Sequence, residues 1–245
     1  MKKVLITGAN KSIGFETARQ LLRKGYYVYL GCRSLESGMD AVGRLKEEGL
    51  VNVEAIAIDV ADPGSVNTAR AEIGKKTEVL DVLINNAGIN GGFPQSALEA
   101  TTTQFQTVYE TNVFGVARVT QAFIDLLKNS LAPRIVNVSS SQGSLTLAAD
   151  PTHKYYHHKG VVYQSSKSAL NMYTIALAYQ LRDTPFKVNA VDPGFTKTDF
   201  NNHRGTGSVE EAGARIAKYA LIGDDGPTGK YFSEEMNPET GIIPW

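Results

Sequence analysis

The chain has 245 residues, of which 42% are apolar and 20% are charged, and 25 Lys and Arg residues balance 25 Asp and Glu residues. This composition predicts a soluble globular protein with a sizeable core, and the balanced charge argues against nucleic-acid or anionic-membrane partners. No apolar stretch approaches the ~20 residues that cross a bilayer. The single cysteine, Cys32, excludes an intrachain disulfide and predicts a reducing, cytoplasmic location.

Short β-rich runs alternate with longer segments of helical periodicity along the whole chain. The predicted strands are 3–7, 26–31, 53–59, 79–85, 134–139, 187–191 and 230–232. The predicted helices are 13–24, 36–48, 63–76, 101–128, 162–182 and 208–221. The alternation indicates βαβ crossovers. It therefore predicts an α/β fold, a doubly wound parallel sheet of about seven strands with helices on both faces.

No composition break marks a linker, so residues 1–245 are predicted to form a single domain. Two segments fit the alternation poorly: the His- and Tyr-rich stretch 142–161 and the Gly- and Pro-bearing tail 224–245. Both are predicted to be surface loops near the carboxyl ends of the strands. His153, His157 and His158 do not form a complete zinc ligand set, so no metal site is predicted.

A glycine-bearing turn, residues 8–14, separates the first predicted strand from the first predicted helix and reads Gly-Ala-Asn-Lys-Ser-Ile-Gly. Glycines allow a tight turn and a close approach of backbone amides to phosphate oxygens, and the helix that follows offers its positive end. The spacing matches neither G-x-G-x-x-G nor a P-loop. Taken alone, the turn fits either a dinucleotide phosphate cradle or an ordinary strand-to-helix connection.

Tyr163 and Lys167 are four residues apart in a predicted helix, so they share one face of it. A free phenol has a pKa of about 10, which is too high for ready proton exchange near neutrality. A neighbouring ammonium stabilises the phenolate, so we expect Lys167 to lower the pKa of Tyr163. Taken alone, such a pair is also common among ordinary helix neighbours.

Seven motifs occur in one order along the chain, and with them the sequence resembles the classical short-chain dehydrogenases/reductases over essentially its whole length. In the family's T-G-x-x-x-G-x-G motif, Ser12 stands where the middle glycine is usual. The matching residues are Thr7, Gly8 and Gly14; Asp59 and Val60; Asn85, Asn86, Ala87 and Gly88; Asn112; Ser139 and Ser140; Tyr163 and Lys167; and Pro193 and Gly194.

The resemblance implies a Rossmann-type fold and four catalytic residues. Tyr163 is then the general acid and base, and Lys167 lowers its pKa and holds the nicotinamide ribose. Ser140, chosen among three consecutive serines, binds the carbonyl oxygen. Asn112 supports a proton relay through a water held by its backbone carbonyl.

The resemblance also implies a nicotinamide dinucleotide site. No carboxylate follows the second strand to bind free ribose hydroxyls, and Arg33 with Lys11 can instead meet a 2′-phosphate, which favours NADP(H) over NAD(H). Both basic residues as plain surface charges remain an alternative. The implied cofactor-binding residues are Gly8, Asn10, Lys11, Ser12, Ile13, Gly14, Arg33, Asp59, Val60, Asn86, Ala87, Gly88, Tyr163, Lys167, Pro193, Gly194, Thr196 and Thr198.

Ser140 and Tyr163 are 23 residues apart, and this long spacing together with the tail is similar to monomeric carbonyl reductases. The predicted function is reversible, NADP(H)-preferring reduction of an apolar ketone or aldehyde, with Tyr155, Tyr156 and Trp245 as candidate wall residues. An NAD(H)-dependent alcohol dehydrogenase, a quinone reductase and a non-catalytic NADP-binding redox sensor are the alternatives. The helices at 101–128 and 162–182 would suit a dimer or tetramer interface.

Overall fold

The computed structural model describes residues 1–245, and its centre is one sheet of seven parallel strands in the order β3-β2-β1-β4-β5-β6-β7. The order reverses between β1 and β4, which creates a crevice outside the carboxyl ends of these strands. The predicted α/β fold is confirmed. The strands are β1 (Lys3–Ile6), β2 (Tyr27–Cys32), β3 (Val53–Ala57), β4 (Val82–Asn85), β5 (Arg134–Val138), β6 (Lys187–Val191) and β7 (Tyr231–Phe232).

Eight α-helices accompany the strands and lie on both faces of the sheet. They are α1 (Ser12–Arg23), α2 (Leu35–Glu47), α3 (Pro63–Lys76), α4 (Thr102–Tyr109), α5 (Gly115–Lys128), α6 (Leu145–Ala149), α7 (Val161–Gln180) and α8 (Val209–Ala220). A π-helical turn, Glu110–Phe114, joins α4 to α5, so the predicted helix at 101–128 has a changed register in its middle. No helix combines the length and apolar character that a membrane span requires.

Two apolar layers cover the sheet, one on each face. Val4 and Ile6 of β1 pack into the layer formed with α1, α2 and α8, whereas Leu5 packs into the layer formed with α3, α5 and α7. Successive strand residues point to opposite faces, so a strand covered on both sides is apolar at every position. This explains the near-continuous apolar runs in the sequence.

The segment 142–161 is more ordered in secondary structure than predicted. It contains most of a 3₁₀ turn, Ser141–Gly143, and the whole of α6. The Ser144 hydroxyl accepts a hydrogen bond from the Leu147 amide at 3.1 Å and so caps α6. The prediction of a plain loop was wrong here because the cap and a single helical turn are too short to produce a periodic pattern.

Candidate active site

The glycine turn after β1 packs tightly against the segment after β4. Gly8 has a φ of +65°, and a Cβ added there would lie 3.0 Å from the Ala87 Cα atom. A Cβ added at Gly14 would lie 2.5 Å from the Asn86 Nδ2 atom and 2.6 Å from the Gly8 carbonyl oxygen. Both positions therefore require glycine, for conformation at Gly8 and for space at both.

The same turn presents an amide-lined cradle that suits an anion. Ser12 adopts a φ of +56°, the left-handed conformation that costs a residue with a side chain about 1 kcal/mol. Lys11, the N-cap of α1, gives no side-chain hydrogen bond to the first turn, and that turn holds no acidic residue. The free amides and the positive helix end therefore fit a phosphate group.

Hydrogen bonds lock the cradle to the chain after β4. The Asn86 Nδ2 atom donates to the carbonyl oxygens of Thr7 at 2.9 Å and Gly8 at 3.0 Å. In return, the Thr7 hydroxyl accepts from the amides of Asn86 and Ala87, each at 3.1 Å. These reciprocal bonds set the position of the Asn86–Gly88 segment relative to the phosphate cradle.

A cavity of about 1430 Å³ lies at the carboxyl ends of the strands. It reaches from the glycine turn to Tyr163, and every predicted catalytic or cofactor-binding residue except Asn112 lines it. These lining residues are Gly8, Asn10, Lys11, Ser12, Ile13, Gly14, Arg33, Asp59, Val60, Asn86, Ala87, Gly88, Ser140, Tyr163, Lys167, Pro193, Gly194, Thr196 and Thr198.

Ser140, Tyr163 and Lys167 form one group at the cavity wall. The Lys167 Nζ atom lies 5.7 Å from the centre of the Tyr163 ring and donates to the Val138 carbonyl oxygen at 2.8 Å. The Ser140 hydroxyl, which follows β5, lies close enough to the Tyr163 phenol to act on its pKa. The group therefore places two hydroxyls and an ammonium beside the same part of the cavity.

In the protein alone, burial outweighs any lowering of the Tyr163 pKa by a neighbouring positive charge. Burial raises the pKa of Tyr163 well above 10, and the nearby Ser140 hydroxyl offsets only part of this rise. Burial also lowers the pKa of Lys167 to about 8, against the opposing effect of the Asp192 carboxylate. Desolvation outweighs the neighbouring charges because Lys167 is buried and Tyr163 is largely enclosed by protein. Tyr163 is therefore a neutral, proton-bearing phenol at neutral pH.

Asn112 is fully buried on the π-helical turn, and its side chain faces protein rather than the cavity. Its Oδ1 atom accepts from the Ile89 amide and its Nδ2 atom donates to the Ile89 carbonyl oxygen, both at 2.9 Å. The Nδ2 atom also donates to the Ser166 hydroxyl at 3.0 Å. The Asn112 side chain thus ties the chain after β4 to α7, the helix that carries Tyr163.

The predicted basic pair lies at the far end of the cavity, and its two members have different surroundings. Arg33 is exposed and forms no salt bridge, whereas the Lys11 Nζ atom pairs with Asp199 at 3.1 Å. Both partners of that pair are more than half exposed, so the pair is weak. The sequence analysis missed Arg44, which donates to the Asn10 carbonyl oxygen at 3.0 Å and braces the turn.

Asp192 is a cavity residue that the sequence analysis missed. Its carboxylate accepts from the Gly194 amide at 3.1 Å and from the Ser233 hydroxyl at 2.6 Å. Burial raises the pKa of Asp192 despite these bonds. A polar residue directly after a buried strand was the available signal, because carboxyl ends of parallel strands meet at the crevice.

The wall beside Tyr163 is aromatic, but only part of it agrees with the sequence analysis. Tyr155 lines the cavity as predicted, and the Phe200 ring meets the Tyr163 ring edge to face at 5.6 Å. Trp245 instead stacks on Tyr231 at 5.1 Å, and Tyr156 packs under the Lys159 ammonium. Neither lines the cavity, so the prediction was wrong for Tyr156 and Trp245.

Gln95 caps the helix that carries Tyr163, and nothing in the sequence marks it. The N-cap of α7 is Gly160, which has no side chain to cap the helix. The backbone oxygen of Gln95 accepts from the Val161 amide, and its Oε1 atom accepts from the Tyr163 amide, both at 3.0 Å. Gln95 thus satisfies two first-turn amides of α7 from a distant part of the chain.

Replacing Gln95 by Leu is expected to lower the free energy of unfolding by about 1–3 kcal/mol, because it leaves the partly buried Tyr163 amide without its acceptor. Gln106→Leu is the control, since Gln106 is exposed and its side chain makes no hydrogen bond. We expect that control to stay within about 0.5 kcal/mol of the wild type. Urea unfolding of both variants checks this, and equal losses would contradict the capping role.

The chain is similar in sequence to known proteins over most of its length. A family model described as short chain dehydrogenase matches residues 2–208. A (+)-neomenthol dehydrogenase from Capsicum annuum is 33% identical over 297 aligned positions, covering 93% of this chain and 94% of that protein.

Two solved structures share the fold over nearly their whole length. Salutaridine reductase from Papaver somniferum is 30% identical with a TM-score of 0.85, and the match covers 95% of this chain and all of that one. An NADPH-bound carbonyl reductase from chicken fatty liver is 26% identical with a TM-score of 0.84, and the match covers 100% of this chain and 99% of that one.

The family model includes both the glycine turn and the segment that carries Tyr163 and Lys167. The sequence match and the fold match both extend over more than nine-tenths of the chain. The chain therefore belongs to the short-chain dehydrogenase/reductase family and is an oxidoreductase.

Proposed function

We propose that this single-domain protein reversibly reduces an apolar ketone or aldehyde to the alcohol and prefers NADP(H) to NAD(H). The observation that carries the proposal is the group formed by Ser140, Tyr163 and Lys167 in a cavity that continues to the phosphate cradle. The names of the relatives, a neomenthol dehydrogenase and two reductases, agree with chemistry at a carbonyl or alcohol carbon.

The residues of the cavity fit a nicotinamide dinucleotide. Gly8 and Gly14 leave the space at the cradle that a Cβ would fill, and the first-turn amides of α1 lack a side-chain cap. Arg33, free of any salt bridge, would hold a 2′-phosphate, and Lys167 would hold the nicotinamide ribose. When bound, the cofactor supplies hydride to the carbonyl carbon or takes it up from the alcohol.

The chain itself supplies the proton that the carbonyl oxygen needs. The raised pKa of Tyr163 keeps its phenol protonated at neutral pH, so it can donate. The Ser140 hydroxyl donates a hydrogen bond to the oxygen on which negative charge develops. Once Tyr163 has given up its proton, the Ser140 hydroxyl and the Lys167 ammonium stabilise the phenolate. Asn112 supports the return of a proton through its backbone carbonyl, and the π-helical turn around it sets that carbonyl's position.

A spectrophotometric panel tests the activity. We expect the protein to consume NADPH with apolar ketones or aldehydes and to consume NADH less efficiently. Aliphatic, aromatic and quinone carbonyls belong in the same panel, since a quinone reductase and an NAD(H)-dependent alcohol dehydrogenase are the competing activities. Failure to oxidise either cofactor with any carbonyl would contradict the proposal.

Replacing Arg33 by Asp is expected to change the ratio of kcat/KM for NADPH to that for NADH by about 100-fold in favour of NADH. The change removes a charge-assisted bond to the 2′-phosphate and adds a repelling carboxylate. Arg182→Asp is the control, because Arg182 is exposed beyond α7, at the opposite edge of the sheet. An unchanged ratio in Arg33→Asp would count against Arg33 as the residue that reads the phosphate.

A further inference from the structure

The carboxylate of Glu235 joins three separate segments beside the cavity. Its Oε1 atom accepts from the Lys154 Nζ atom at 2.7 Å and from the Tyr155 hydroxyl at 2.6 Å. Its Oε2 atom accepts from the Phe195 amide at 2.6 Å. Glu235 itself lies in the tail after β7. We call Glu235 and its partners Lys154, Tyr155 and Phe195 the Glu235 clasp.

The clasp holds two aromatic rings of the cavity wall in one arrangement. Tyr155 and Phe195 both line the cavity, and their rings meet edge to face with centres 6.2 Å apart. Gly194 precedes Phe195 with a φ of +88°, and a Cβ added there would lie 2.8 Å from the Glu235 Oε2 atom. The Phe195 backbone can therefore approach the carboxylate only because glycine precedes it.

Glu235 is ionised in this setting, and Tyr155 is not. Burial raises the pKa of Glu235, but the bonds from Lys154, Tyr155 and the Phe195 amide outweigh burial, so its pKa lies below the ordinary value. Burial, and then the bond to Glu235, raise the pKa of Tyr155. The carboxylate thus accepts from three donors at neutral pH, and charge-assisted bonds of this kind are the strong ones.

Aromatic rings therefore form part of the wall of the cavity that holds Tyr163. Phe200 packs edge to face on the Tyr163 ring itself, and the rings of Tyr155 and Phe195 form another part of the cavity wall. Rings held in place by packing and hydrogen bonds present a fixed surface. A rigid apolar body complements such a surface at little entropic cost, whereas a small flexible one makes few contacts with it.

We propose that Glu235 is a positioning residue that sets substrate specificity: by fixing Tyr155 and Phe195, it makes the site select ketones with a rigid apolar ring over small acyclic ketones. This inference rests on the proposed function, because it concerns the substrate of the same site. Glu235 does not line the cavity, so it acts through the two rings and not on the substrate.

The test is Glu235→Gln with tert-butylcyclohexanone and butanone as the two ketones and NADPH as the reductant. A carboxamide has one oxygen and one NH₂ group, so in either orientation an NH₂ group faces at least one of the clasp donors. We expect KM for tert-butylcyclohexanone to rise roughly tenfold, as for a lost hydrogen bond to a charged group. We expect kcat, KM for butanone and the Kd for NADPH to change less than about twofold.

Glu234→Gln is the matched control, since it makes the same chemical change one residue earlier. The Glu234 carboxylate accepts from Lys218 and, at 3.4 Å, from the Tyr219 hydroxyl, and both partners lie on α8. None of these residues lines the cavity. The ratio of the two KM values should therefore stay at the wild-type value in Glu234→Gln.

Tyr155→Phe is a second variant that removes one clasp bond without a change of charge, and it serves if Glu235→Gln does not fold. We expect KM for tert-butylcyclohexanone to rise about threefold in Tyr155→Phe. In the double variant it should stay within about twofold of its value in Glu235→Gln, because both changes act on the same contact. If the rise in KM in the double variant instead equalled the product of the rises in the two single variants, the proposed role of the clasp would be overturned.

Two failures can be told apart. A wild type that reduces neither ketone with NADPH or NADH overturns the proposed function and this inference together. A wild type that reduces both, beside a Glu235→Gln variant with the wild-type ratio of KM values, overturns the inference alone. A tenfold fall in kcat for both ketones at unchanged KM would also overturn it, since that pattern means damage to the Tyr163 site.

Discussion

Replacing Tyr163 by Phe is expected to lower kcat by about 10³-fold or more while the Kd for NADPH stays within about twofold of the wild type. The phenol lies beside the Ser140 hydroxyl and is the group proposed to give up the proton. Phe keeps the ring and its packing on Phe200, so only the proton donor is lost. Initial rates with NADPH and a ketone, together with NADPH titration of the variant, check both parts.

Tyr179→Phe is the control for that variant. Tyr179 lies on the same helix, α7, but its side chain is exposed. We expect Tyr179→Phe to keep the wild-type kcat, since a change at an exposed site away from the cavity has little effect. A Tyr163→Phe variant that retained more than about a tenth of the wild-type kcat would remove Tyr163 as the acid.

Replacing Lys167 by Met is expected to lower kcat/KM by about 100-fold or more and, at the same time, to stabilise the fold. The activity falls because the phenolate of Tyr163 loses a neighbouring positive charge and the ribose loses its partner. The lowering of the Lys167 pKa from 10.5 to about 8 corresponds to a burial penalty of about 3 kcal/mol. Losing the bond to Val138 offsets about 1 kcal/mol of the gain, so at pH 7 the variant should be more stable by about 2 kcal/mol.

The gain in stability of Lys167→Met over the wild type should become smaller as the pH rises. Below pH 8 Lys167 is protonated in both the folded and the unfolded chain, so the burial penalty is fully present. Between pH 8 and 10.5 only the unfolded chain keeps this proton, so the wild type becomes more stable relative to the variant as the pH rises. The advantage of Lys167→Met should therefore be largest at pH 7 and shrink above pH 8.

Urea unfolding of the wild type and the variant at pH 7 and pH 9 measures this difference. Lys75→Met on α3 is the control, because Lys75 is exposed and forms no salt bridge, and its stability difference should not depend on pH over this range. A Lys167→Met variant that is less stable than the wild type at pH 7 would contradict the burial penalty as the dominant effect.

Local sequence patterns were sufficient for the sheet, the glycine turn and most of the candidate site. The alternation of apolar runs and helical periods reflects a sheet covered on both faces, and β6 and α3 have the predicted bounds. Ser140 and Tyr163 also reach the same cavity, because Ser140 follows the carboxyl end of β5 and Tyr163 lies in the first turn of α7 at the same edge of the sheet.

Contacts between distant parts of the chain account for what the sequence analysis missed. Gln95 caps α7 from 68 residues away, and Glu235 binds Tyr155 across 80 residues. A single Gln or Glu in a polar segment carries no periodic or spacing signal, so neither could be found from the sequence. Trp245 was placed in the wall from its aromatic character alone, whereas packing on Tyr231 places it elsewhere.

The sequence by itself determined the fold class, the family resemblance and which residues could carry chemistry, because these depend on residue type and on spacing within single elements. Only the tertiary structure decided the protonation of the Tyr163 group. Lys167 lies one helical turn from Tyr163 both in the sequence prediction and in the structure. The energy of desolvation, however, depends on how much protein surrounds each group. Here desolvation raises the pKa of the phenol, whereas the sequence analysis expected it to be lowered.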